Sequence, residues 1–110
     1  MVMQYKPISE LSRQALAHVG LTPHQAAIYE VLIQHGPQKA TKVAFLAGVP
    51  RTLSYKVLDE LEAEGLVAKK DEPGRVSVFV PIHPLELKKL AKRRLDKAQV
   101  AEELIQQALP

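Results

Sequence analysis

The 110-residue sequence predicts a mainly α-helical domain closed by one small β-hairpin and followed by a long C-terminal helix. Three observations carry this reading. Apolar residues recur at threes and fours through most of the first 64 positions. Two β-prone runs then flank Asp71-Glu72-Pro73-Gly74, and beyond Pro84 neither glycine nor an internal proline interrupts a strongly helical pattern. The expected division is a domain over residues 1–83 and a helix over 84–110.

Taken in order, Ile8, Leu11, Ala15, Leu16 and Val19 make the apolar side of a first helix, which Gly20 ends. Thr22-Pro23-His24-Gln25 reads as the next helix start. The Thr22 hydroxyl can accept from an orphan amide, Pro23 suits the first helical position, and Gln25 can close a capping box. This second helix sets Ile28, Val31, Leu32 and His35 on one side and stops at Gly36-Pro37. A short helix from Ala40 to Ala47 is expected to bury Val43, Ala44 and Leu46. After the turn Gly48-Val49-Pro50, Pro50 opens a helix that runs to Glu64, with Gly65 as its terminator. Leu66 to Lys70 and Arg75 to Val80 then form the hairpin, with a turn of about four residues between them.

Composition excludes several classes. With 46% apolar and 25% charged residues the chain has the mixture of a folded domain, not of a disordered one. No run approaches the roughly 20 apolar residues of a membrane span. The start MVMQYKPISE lacks the apolar core of a secretion signal, so no membrane partner and a cytoplasmic location are expected. The absence of cysteine removes disulfides, thiolate metal sites and a cysteine nucleophile together. A net charge of +3 is compatible with a polyanionic partner. Its distribution is more informative: Lys39, Lys42, Arg51, Lys56, Lys69, Lys70 and Arg75 are separated from the cluster Glu60, Glu62 and Glu64.

Helix, helix, short helix, tight turn, helix and hairpin is the element order of a winged helix-turn-helix domain. The segments "LT" at Leu21-Thr22, "GP" at Gly36-Pro37, "AGVPR" ending at Arg51 and "YKVLDELEAEGLV" from Tyr55 resemble the DNA-binding domain of the TrmB-like transcription regulators. The resemblance runs from about Val19 to Pro84 and rests on the combination of segments. Two positions depart from the family pattern: Lys39 stands where threonine or serine is common, and Ser54 where an aliphatic residue is common. Sugar-responsive members continue into a large effector domain with no counterpart in these residues, so a small-molecule effector is not expected.

The resemblance implies double-stranded DNA as partner. On the helix from Pro50, the 3.6-residue period puts Ser54, Val57, Leu58 and Leu61 on the core side and Thr52, Lys56 and Asp59 opposite. Such folds read the major groove with the start of this helix, which makes Arg51, Thr52, Leu53, Tyr55 and Lys56 the contact candidates. Arg51 can donate two bonds to guanine or phosphate, Thr52 can bond a phosphate or base edge, and Leu53 can meet a thymine methyl. Tyr55 serves either the DNA backbone or the packing of the helix. Lys39 and Lys42 flank this helix, while Lys69, Lys70 and Arg75 are either a wing that tracks DNA or solvated strand edges.

In the last helix, Leu87, Ala91, Arg94, Ala98, Ala101, Ile105 and Ala108 step by four and three, a heptad seam that Leu90 widens. It is expected to pair with its copy as a coiled-coil homodimer, the alternative being a helix that folds back on its own domain. Two recognition helices about 34 Å apart would then meet successive major grooves.

Catalytic chemistry is missing from the pattern. His18, His24, His35 and His83 lack metal-ligand spacing, and neither a phosphate-cradling glycine loop nor a nucleophile motif occurs, so neither enzyme activity, metal nor cofactor is expected. The competing reading is a winged-helix module that holds a protein instead of DNA.

Overall fold

The computed structural model describes the backbone from Glu10 to Pro110 and side chains from Ser12. Ile8 and the Leu11 side chain, both assigned to the first apolar face, lie outside the described residues. The elements are α1 (Glu10–Val19), α2 (Pro23–His35), β1 (Gln38–Lys39), α3 (Ala40–Ala47), α4 (Arg51–Ala63), β2 (Val67–Lys70), β3 (Val78–Pro81) and α5 (Leu85–Ala108).

Local chemistry sets most of these boundaries. Thr22 accepts from the Gln25 amide at 3.2 Å while the Gln25 side chain accepts from the Thr22 amide at 3.0 Å, completing the capping box. At the other end, the Gly36 amide bonds Leu32 O and Pro37 cannot extend the ladder. The turn between α3 and α4 needs a left-handed residue, and Gly48 supplies it with φ 67° and ψ 33°.

Helices α2, α3 and α4 enclose the core, with Ile28, Leu32, Val43, Leu58 and Leu61 at its centre. His35 is exposed instead of sharing that side, because it sits in the last turn, where the helix leaves the core; Tyr29 is buried in its stead. Leu46 is half-buried and packs at the core margin.

The sheet has the order β1-β3-β2, all antiparallel. Lys70 opposes Val78, so seven positions, Asp71 to Ser77, connect the strands where a turn of about four was expected. The loop is closed from within: the Arg75 amide bonds Glu72 O at 3.1 Å, and the Ser77 hydroxyl donates to the Asp71 carboxylate. These local bonds replace ladder pairing, and the β-prone Arg75-Val76-Ser77 stays out of the strand.

Among the described residues, two buried hydroxyls have no hydrogen-bond partner. Ser54 is fully buried, and its Oγ is unpaired at a position where the resemblance leads one to expect an apolar side chain. Ser54→Ala is therefore expected to raise stability by about 1 kcal/mol, read by denaturant unfolding. A loss of stability would mean that the hydroxyl has an acceptor after all. The Tyr29 hydroxyl is the second case, and burial raises its pKa above the usual phenol value. Below the unfolded-state value both states hold the proton, whereas above it the unfolded chain ionises first and folding weakens. Stability should therefore decline as pH rises above about 10. Tyr29→Phe should flatten that decline in thermal melts, and an identical alkaline limb in the variant would rule Tyr29 out as its cause.

Candidate nucleic-acid interface

Along α4 the polarity changes sign halfway. Ser54, Val57, Leu58 and Leu61 are all buried, as the helical period requires, which turns Arg51, Thr52, Tyr55, Lys56 and Asp59 outward. Of the acidic residues that follow, Asp59 is exposed, whereas Glu60, Glu62 and Glu64 are engaged within the fold. Glu60 accepts from the Gln25 amide side chain at 3.1 Å, and Glu62 accepts from the Lys69 backbone amide at 3.2 Å. Glu64 lies 3.8 Å from Arg94. The first two turns thus present cations and hydroxyls without acidic neighbours on the same turns.

Arg51 is partly preorganised: its guanidinium carbon lies 6.0 Å from the centroid of the Tyr55 ring one turn on. Tyr55 remains 43% exposed, so the ring supports Arg51 from the surface. Leu53, in contrast, is half-buried and packs against the core. Its position on the helix turns it partly toward the domain, which leaves less of the side chain open to a thymine methyl than that of an outward residue.

Neither α3 nor α4 has a side-chain N-cap bond, because Lys39 and Pro50 occupy the cap positions and neither side chain can accept. First-turn amides of both helices remain available to an anion, with Lys39 and Lys42 beside one and Arg51 and Lys56 beside the other. That contrasts with the satisfied capping box of α2.

The strand register divides the wing cations. Lys39 and Lys70 both oppose Val78 and share the outer sheet face, where they line an open groove of about 670 Å³ together with Arg75. Lys69 opposes Phe79, on the other face. Arg75 pairs with Glu72 at 3.5 Å, but both side chains are largely exposed and the pair contributes little.

Sequence reasoning missed Phe45, which is 78% exposed on the outer side of α3, with the Lys42 ammonium 5.6 Å from its ring centroid. The signal was available, since Phe45 falls outside the stripe of Val43, Ala44 and Ala47.

The residues assigned to dimerisation separate into two groups. Leu90 is 1% exposed in the protomer's own core and Leu87 packs beside it. Arg94 donates to Val19 O at 2.7 Å. These three make contacts within the chain where partner contacts were expected, so the first turns of α5 pack on the domain. Ala91, Ala98, Ala101, Ile105 and Ala108 are exposed, as are Leu95, Val100, Leu104 and Leu109. Among the described residues, no helix is long and apolar enough to cross a membrane. Nor do three or more histidine or acidic residues form a group able to hold a metal.

Residues 16–85 match the family model "Sugar-specific transcriptional regulator TrmB". Over 71 residues the chain is 35% identical to an HTH-type sugar sensing transcriptional regulator, TrmBL1, of Pyrococcus furiosus, covering 64% of this chain and 20% of that protein. It is 29% identical over 102 residues to a DNA-binding HTH-type transcriptional repressor, TrmBL2, of Thermococcus kodakarensis, covering 84% of this chain and 38% of that protein. The chain therefore spans well under half of either relative. Among solved structures, TrmBL2, described as an archaeal chromatin protein with a novel mode of DNA binding, superposes with a TM-score of 0.74 at 25% identity, covering 86% of this chain and 37% of that one. A MarR family transcriptional regulator from Silicibacter pomeroyi shares the fold, with a TM-score of 0.59 at 24% identity over 89% of this chain and 66% of that one. Fold and relatives together define the class: a winged helix-turn-helix domain of the kind carried by transcription regulators. Within that class, the chain belongs to the TrmB family.

Proposed function

We propose that this protein binds double-stranded DNA as a homodimer and regulates transcription by inserting the first two turns of α4 into the major groove. One observation carries the reading: Arg51, Thr52, Tyr55 and Lys56 are exposed on the side of α4 opposite its buried residues, while Glu60, Glu62 and Glu64 farther along are tied into the fold. Lys39 and Lys42 at the start of α3, with Lys70 and Arg75 on the hairpin, suit the flanking phosphates. Lys69 is a weaker candidate because it belongs to the other sheet face. The DNA-binding description of TrmBL2 supports the same partner.

Dimerisation rests on the half of α5 beyond Arg94. A helix exposing Leu95, Val100, Leu104, Ile105 and Leu109 leaves more apolar surface in water than a lone helix ordinarily does. Ala98, Ala101 and Ala108 leave room for close approach, so the proposed seam is Ala98, Ala101, Leu104, Ile105 and Ala108.

Titration of a fluorescent duplex with the intact protein tests the proposal. Log affinity should fall linearly with log salt as phosphate counterions are released. The alternative, a module that holds a protein, has exposed Phe45 in its favour. Absence of duplex binding even at low salt would select it.

A further inference from the structure

We infer that Arg93 and Arg94 are positioning residues that lock α5 to the recognition helix and so determine which half-site separation the dimer reads. The inference rests on the dimeric DNA-binding reading above, but its structural half stands apart from it. Arg93 Nη2 donates to Glu64 O at 2.8 Å, gripping the C-terminus of α4. Arg94, the next residue, donates from Nη1 to Val19 O at 2.7 Å at the C-terminus of α1, and its Nη2 lies 3.8 Å from Glu64 Oε1. Two consecutive guanidiniums thus hold the negative ends of two different helices. One of those helices is α4 itself.

The chain has been shaped around this arrangement. Gly20 adopts φ 102°, which favours glycine, and a Cβ there would force the Arg94 guanidinium to shift from its place. One turn before Arg94, Leu90 fills the core. Leu90, Arg93 and Arg94 therefore grip the domain over a single turn of helix, after which every residue from Leu95 onward is exposed.

Leverage turns this local grip into specificity. From Leu95 to Ala108 the helix runs for about 21 Å. A swing of about 10° at the latch would displace its far end by about 3.7 Å, roughly one base-pair step. In a dimer joined through that far half, the same swing moves each α4 relative to its copy, so a loose latch admits several spacings.

Because the chain has no cysteine, Asp59→Cys and Gln99→Cys place one spin label on α4 and one on α5 without background. With labelled protein diluted into unlabelled protein, the distance distribution reports the angle within a protomer, with no DNA present. The parent should give one narrow distance and Arg93→Ala/Arg94→Ala a broad or shifted one. An unchanged distribution overturns the latch. Should the double variant unfold, as judged by circular dichroism, Arg93→Ala alone is measured, since it keeps Leu90 and Arg94 in place; it should broaden the distribution in the same sense.

The spacing role is read by selecting bound duplexes from random sequence. Parent and variant should recover the same half-site, the parent at one separation and the variant at several, with the parent's preference lowered several-fold. A retained preference in a variant with a broadened distance overturns the spacing role. If the parent recovers no paired half-sites while the distance broadens as expected, the dimeric reading fails, and the spacing role with it, but the latch stands.

Discussion

Leu90→Ala is expected to destabilise the fold by about 2–5 kcal/mol, measured by chemical unfolding. Leu90 is 1% exposed and belongs to the same core cluster as Leu58, Leu61 and Leu66, so its removal leaves a cavity between α5 and the rest of the domain. In the intact protein the burial of this one side chain contributes on the order of 1.5–3 kcal/mol. Ile105→Ala provides the contrast: at 65% exposure it can cost stability only through a partner. Ile105→Ala should leave unfolding of a dilute sample unchanged and weaken self-association in sedimentation. If Leu90→Ala instead altered association and spared stability, the packing of α5 on its own domain would be wrong.

Arg51→Ala should weaken duplex binding by about 1–3 kcal/mol and relax preference at one base position, the expected signature of a guanidinium that reads a base edge. Arg51 is exposed at the start of α4 and rests beside the Tyr55 ring, which limits the freedom it loses on binding. Lys56→Ala should act differently. Removing an ammonium that meets only phosphate weakens binding to all sequences alike and lowers the salt slope by about 1. Equal affinity of Arg51→Ala and parent for every competing duplex would remove Arg51 from the interface.

Which parts of this were legible in the sequence follows from the range of the interactions involved. The start of α2 was readable because Thr22, Pro23 and Gln25 act on neighbours within one turn. The buried face of α4 was readable because a helical period assigns Ser54, Val57, Leu58 and Leu61 to one side whatever they meet. Strand β1, only Gln38 and Lys39, has too few residues to show alternation, and its place depends on distant β3. In the hairpin, the propensity of Val76 yielded to the bonds closing Asp71 to Ser77. The heptad on α5 was real but ambiguous. Its one stripe meets the domain at Leu87, Leu90 and Arg94 and runs on free beyond them, and periodicity does not say which partner a stripe touches.

At the candidate interface, the outward cations of α4 were legible for the same reason as its core. The division of Lys69 from Lys70 was not, because it depends on a register set by the length of the loop. Nor was the proximity of Lys39 to Lys70, which arises only once β1 has joined the sheet.

Backbone amide shifts of the intact chain, recorded by NMR while a short duplex is added at low salt, address the central claim most directly. The largest changes should fall on Arg51 to Lys56, with smaller ones at Lys39 to Lys42 and Lys70 to Arg75, and little change at Leu95 to Ala108. Changes that spare the first two turns of α4 while the duplex binds would contradict it.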